Sequence, residues 1–188
     1  MTLTLLLAAL LTAGPAPAHL DDGCWIHAPL APLASRPSPL DSAVARLGDA
    51  VVKVCYGRPS ARGRAIMGGL VPFGEPWRLG ANEATTLHIP VAVRFGDATL
   101  KPGVYSLYAI PGPKTLQIVV NDVAARWGIP IGAPVRAHDV GAVTVTSEAT
   151  DAPVETLTMR WESAGEGTLV LITEWERTRV RVTVRRSA

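Results

Sequence analysis

The sequence predicts an all-β domain, an antiparallel β-sandwich of jelly-roll-like type with one long ordered loop and one short helical turn. Three observations carry that expectation. Short β-type runs recur between turn residues at the spacing typical of sandwiches and barrels. No segment after residue 18 keeps a helical period for more than about two turns. The last stretch alternates Val180, Val182 and Val184 with Arg179, Arg181 and Arg185, the period of a half-buried strand. Of the 188 residues, 48% are hydrophobic and 18% charged, which supplies enough apolar side chain for one core and too little charge for disorder.

The chain opens with an apolar run that ends in small residues and prolines, Ala16-Pro17-Ala18, although no Lys or Arg precedes the run. Residues 1–18 read as a signal peptide, cut after Ala18, which makes the protein exported, either periplasmic or secreted. The run is shorter than the ~20 residues that span a bilayer, and no later segment is long and apolar enough to form a transmembrane segment. Asp21-Asp22-Gly23 before Cys24 lacks the apolar residue of a lipoprotein signal. In an oxidising compartment the two cysteines, Cys24 and Cys55, pair naturally; the other reading leaves Cys55 as a small buried apolar residue and Cys24 as a free thiol in a tail. Residues 19–41 form a Pro/Ala-rich N-terminal arm, in which Pro29, Pro32, Pro37 and Pro39 forbid a helix and disfavour a central strand, so it is expected on the surface. Residues 42–188 form the single sandwich domain.

Within the domain, runs 43–47 and 50–56 make a hairpin at Gly48-Asp49, and runs 91–95 and 98–100 make a second at Gly96-Asp97. Run 103–110 turns through Pro111-Gly112-Pro113-Lys114 into 115–120, whose Leu116, Ile118 and Val120 share the core face. Asn121 or Asp122 can cap one helical turn through Ala124 and Ala125, which Gly128 would end. Runs 140–146, 154–161, 168–175 and 177–184 complete the set, with Gly165-Glu166-Gly167 as a turn.

Residues 57–83 have neither period. Structureless stretches beyond about 12 to 15 residues are uncommon in compact domains and are often functional. Ile66, Met67, Leu70, Val71, Phe73 and Trp77 need burial, so the loop is ordered, and its buried backbone groups need partners. Three readings follow. In the first the loop is scaffold: its arginines tether backbone carbonyls and Glu83, Asn82 holds a turn, and Trp77 plugs the sheet. In the second, Arg58, Arg64, Arg78, Asn82 and Glu83 line a pocket for a small polar or anionic ligand, with Trp77 as its aromatic wall. In the third the loop is a protein-contact surface.

The motifs of this loop are followed by others further along the chain. Tyr56-Gly57-Arg58-Pro59-Ser60, Gly63-Arg64, Gly69-Leu70-Val71-Pro72-Phe73-Gly74, Trp77-Arg78 and Gly80-Ala81-Asn82-Glu83-Ala84-Thr85 are followed by Pro102-Gly103-Val104-Tyr105-Ser106-Leu107-Tyr108, Trp127-Gly128 and Glu174-Trp175-Glu176-Arg177-Thr178-Arg179-Val180. This series resembles the bacterial envelope family catalogued as domain of unknown function 2911. The resemblance covers nearly the whole chain from about Ser42, leaves the arm outside, and supplies no activity.

The residues themselves must then carry any functional reading. The formal charge is +2, and Lys53, Lys101 and Lys114 are the only lysines among 18 basic residues. A near-neutral chain of this kind is no general nucleic-acid binder. The histidines, His19, His27, His88 and His138, show no metal-ligand spacing, so no metal and no cofactor are expected. There is no Gly-x-Ser-x-Gly elbow beside His138-Asp139 and no phosphate-cradling loop. Glu83 is the best acid–base candidate, with Glu75 as a second carboxylate. The expected function is an exported cell-envelope binding protein for a small polar or anionic ligand or glycan. The alternatives are a hydrolase-like enzyme using Glu83 and a structural or partner-binding module with no small-molecule site.

Overall fold

Alternation of buried and exposed side chains organises two sheets. In a computed structural model, residues 23–26 and 35–187 are described; the signal-peptide reading of residues 1–18 lies outside them. The strands are β1 (Leu40–Leu47), β2 (Ala50–Gly57), β3 (Thr85–Ile89), β4 (Val93–Phe95), β5 (Ala98–Leu100), β6 (Gly103–Pro111), β7 (Thr115–Asn121), β8 (Asp139–Thr146), β9 (Glu148–Ser163) and β10 (Thr168–Arg186), with a four-residue helix α1 (Ala133–Arg136) before β8. One sheet has the order β1-β2-β3-β6-β7-β8 and the other β5-β4-β10-β9. All pairings are antiparallel. This is the sandwich expected from the sequence.

The core lies between the sheets. Val54, Leu87, Leu107, Leu116, Ile118 and Val120 come from the first sheet, and Phe95, Leu157, Leu171, Val180, Val182 and Val184 from the second. The period-two pattern therefore puts the intended faces inward: Val182 is 1% exposed, whereas the neighbouring Arg181 side chain is 38% exposed. Both expected hairpins form, and Gly48 takes φ +67° and Gly96 φ +56°, backbone conformations that side chains with a Cβ rarely adopt.

Three local expectations are corrected. The helical turn at 121–128 is absent, and the helix is α1 instead. Asn121 is buried and its Oδ1 accepts a hydrogen bond from the Val123 N–H at 3.0 Å, a local bond that competes with helix formation. Runs 168–175 and 177–184 are one strand, β10, whose register against β9 shifts on both sides of Glu176. Glu176 has φ +53°, so a bulge interrupts the alternation that in sequence looked like a strand end. Finally, the described part of the arm is packed rather than merely laid on the surface: Cys24 is fully buried, Ile26 is 6% exposed and Arg36 9%. Prolines exclude ladder pairing but leave carbonyls free to accept, and Pro39 O takes the Arg58 N–H at 2.8 Å. The Cys24–Cys55 disulfide is formed, with the Cα atoms 5.9 Å apart.

Candidate functional site

Residues 57–83 are stapled to the sheets by short backbone bridges. At the start, Ser60 bridges Thr156, the Ala61 N–H donates to Glu155 O at 2.7 Å and the Leu157 N–H to Pro59 O at 3.0 Å, so the loop extends the edge beyond β9. Further on, Trp77 and Ala109 exchange two backbone hydrogen bonds of 2.7 Å. At the end, Glu83 bridges Trp127. Ile66 and Leu79 are fully buried beneath these staples, whereas Leu70 and Phe73, which the sequence reading expected to be buried, are 46% and 45% exposed. The backbone groups of the loop thus find partners one by one, as burial demands.

The six residues singled out in the sequence go to several places. Arg58 donates from Nε to Leu157 O at 3.3 Å and pairs with Asp41 at 3.1 Å. Arg64 curls onto its own turn, donating to Ala61 O and Ser60 O at 2.8 Å each. Asn82, at φ +65°, donates from Nδ2 to Ser38 O of the arm at 2.9 Å. Glu83 receives both forks of Arg36, at 2.7 and 3.0 Å, and the two side chains are only 5% and 4% exposed. Sequence reasoning missed Arg36 because it lies 47 residues away in the arm.

Trp77 and Arg78 stay together. Trp77 stacks on Trp175, with ring centroids 5.7 Å apart and an interplanar angle of 20°. Arg78 donates from Nε to Gly80 O at 3.3 Å and makes no further hydrogen bond among the described residues. Burial pulls its pKa below the ordinary arginine value. Both side chains line a cleft of about 200 Å³ whose other walls include Leu70, Val71, Glu75 and Ile129. Gly128 is a packing requirement of this region: a Cβ there would stand 2.7 Å from Arg78 Cδ and 2.7 Å from Asn82 O.

A larger depression of about 540 Å³ opens on the outer face of the first sheet, against Val44, Val51, Lys53, His88 and Val104. It borders the attachment of the arm, since His88 Nε2 is 3.6 Å from Cys55 Sγ. Its walls are mainly apolar, and it lacks the convergent polar groups that orient a ligand. A second polar cluster was invisible in sequence because it spans three strands: Tyr108 of β6 donates to Asp139 Oδ2 at 2.7 Å, and Asn121 of β7 to Asp139 Oδ1 at 2.9 Å. Burial first, and then the Asp139 carboxylate, push the Tyr108 phenol up to about 12. His138 is turned away from Asp139 and meets Asp122 at 2.9 Å on the exposed side, so His138-Asp139 is no dyad.

The family model described as Protein of unknown function (DUF2911) matches residues 38–184. The chain belongs to that family. The matched DUF2911 region takes in both halves of the Trp77–Trp175 stack and every residue of the Arg78 cleft named above, and starts at Ser38, the residue whose carbonyl Asn82 holds. Arg36 and the disulfide partner Cys24 precede it. No curated protein sequence and no solved structure matches the chain.

Proposed function

We propose that this DUF2911 protein is an exported ligand-binding protein of the cell envelope, and that the Trp77–Arg78 cleft receives the acidic group of a small ligand. The observation that carries the reading is Arg78: a half-buried guanidinium with one hydrogen bond, set in a cleft whose other walls are apolar apart from Glu75. Holding a cation there costs desolvation energy, which an incoming carboxylate offsets by charge-assisted hydrogen bonds to the remaining N–H groups. The volume selects the ligand's size. Drug-sized sites occupy about 300 to 1,000 Å³, so a cleft of about 200 Å³ suits one ring-sized group, an acidic sugar unit or a compact acidic metabolite.

The disulfide supports an oxidising destination, in keeping with the leader sequence. A scaffold role suits Glu83 better than acid–base catalysis, because both of its oxygens already accept from Arg36. The test is calorimetry of the oxidised protein against a panel of uronic acids and short-chain carboxylates, repeated with Arg78→Gln. Binding that disappears in Arg78→Gln while the melting temperature is retained supports the proposal. A panel with no binder, or a binder indifferent to Arg78→Gln, overturns it. Export is checked by mass spectrometry of the native product, where an intact Met1 on a cytoplasmic protein would count against it.

A further inference from the structure

The arginines of β10 are not equivalent. Arg177 pairs with Glu176, Arg179 with Glu174, Arg181 with Glu148, and Arg186 with Asp49. Arg185 has no carboxylate among the described residues. The pairing pattern explains why: β9 supplies Glu148 opposite Arg179, and its ladder with β10 goes no further, so the last stretch of β10 has only β4 beside it. There Arg185 stands directly opposite Arg94. Val93, Phe95 and Val184 point into the core, which sends both arginine side chains to the outer face, where both are exposed.

Directly opposed residues in an antiparallel pair have Cβ atoms about 4.5 to 5.5 Å apart, and like charges at that spacing are destabilising. No carboxylate in the row pairs with either arginine, because the next residue across is Thr99 of β5. The two arginines instead open onto a hollow of about 480 Å³ whose other walls are Gly96, Asp97 and Thr183. Its lining is polar, unlike that of the Trp77–Arg78 cleft.

We propose that Arg94 and Arg185 form a clamp for a phosphate group carried by a hydroxyl-bearing ligand. A single carboxylate is satisfied by one guanidinium fork, whereas two adjacent forks offer parallel N–H donors and two positive charges to a phosphate's several oxygens, whether it carries about −2 as a monoester or −1 as the diester of a lipid headgroup. Thr183 adds a hydroxyl donor at the side. Asp97 would repel a bare anion, but it accepts a hydrogen bond from a ligand hydroxyl next to the phosphate. A glycerol phosphate or sugar phosphate presents both groups, free in solution or as a lipid headgroup. This site is independent of the Trp77–Arg78 cleft and shares no residue with it.

The test is titration of the oxidised protein at low salt, followed by calorimetry and phosphorus NMR, with inorganic phosphate, glycerol 3-phosphate and, in a separate arm, phosphatidylglycerol vesicles scored by co-sedimentation. The variants are Arg94→Gln, Arg185→Gln and Asp97→Asn, with Arg181→Gln as the control. Each arginine variant of the clamp should weaken glycerol 3-phosphate about tenfold or more, the loss of one charge-assisted contact, while the control does not. Asp97→Asn should weaken glycerol 3-phosphate and leave inorganic phosphate equal or tighter. Melting temperatures of Arg94→Gln and Arg185→Gln should equal or exceed that of the parent, because a like-charge pair is relieved. Vesicle binding without binding of the soluble ester assigns the lipid source, and the converse assigns the free ester. No binding in either arm, or equal losses in Arg181→Gln and Arg185→Gln, overturns the clamp and leaves a non-specific basic face.

Discussion

Replacing Glu83 by Ala removes the acceptor of a buried bidentate pair and leaves the Arg36 guanidinium, 5% exposed, without its carboxylate. Breaking such a pair from one side costs about 3 to 5 kcal/mol, because the remaining charge stays buried. Relaxation cannot easily rescue it, since the arm is held on both sides of Arg36, by the Cys24–Cys55 bond and by Ser38 O on Asn82. In a domain of this size 1 kcal/mol shifts the melting temperature by about 2 to 4 °C, so Glu83→Ala should melt roughly 6 to 20 °C below the parent. The double variant Arg36→Met, Glu83→Leu removes both charges and should recover most of that loss. Calorimetric melts of the parent, Arg36→Met, Glu83→Leu and the double variant, the four proteins of one cycle, measure the coupling. If Glu83→Ala melts within 2 °C of the parent, the pair is not a clamp for the arm, and Glu83 returns as a candidate for acid–base work.

The core register is tested by one inward and one outward substitution on the same strand. Val182→Asp should cost several kcal/mol, because an unpaired carboxylate enters the core, whereas Arg181→Glu should cost about 1 kcal/mol or less, as a surface ion pair does; equal losses in urea melts would refute the register. The Tyr108 phenol gives a pH signature: its folded pKa is raised from 10 to about 12, so its contribution is complete below pH 10 and is lost as pH climbs from 10 to 12. Urea stability should therefore fall across that window, and the Tyr108→Phe protein should fall less; equal falls in the two proteins would refute the raised phenol.

The legible parts of the sequence were those in which one short segment contains its own reason. Val180, Val182 and Val184 alternate with arginines, and Gly48-Asp49 and Gly96-Asp97 sit between apolar runs, so strand, face and turn could all be read locally. The cysteines paired for a similarly simple reason, since the chain has only two. What failed was also local chemistry, used differently. Asn121 does bond the backbone two residues on, as a helix cap would, but it also holds Val135 O and Asp139 and is buried among them. Glu176 reads as a strand end because a bulge and a strand end break alternation alike. The partners of the loop could not be read at all: Arg36 meets Glu83 across 47 residues, and Arg58 meets Leu157 across 99. The composition of the loop announced that its polar groups had work to do without saying which backbone would claim them.

The arm and the Trp77–Arg78 cleft are parts of one connected arrangement. Arg36 of the arm fixes the Glu83 side chain, while the Glu83 backbone bridges Trp127, and the next residue, Gly128, lies so close to Arg78 Cδ that no Cβ fits between them. Gly128 also donates its N–H to Asn82 O at 2.9 Å, while the Asn82 side chain holds the arm at Ser38. Gly128, packed behind Arg78, is thus bonded to the same residue that holds the arm. In the proposed function, Arg78 is a binding group whose charge must stay desolvated and aimed between ligand encounters, and rigid support of this kind is what such a group needs. The disulfide and the Arg36–Glu83 pair hold the arm in place, and Asn82, whose side chain holds the arm at Ser38, accepts the N–H of Gly128 beside Arg78.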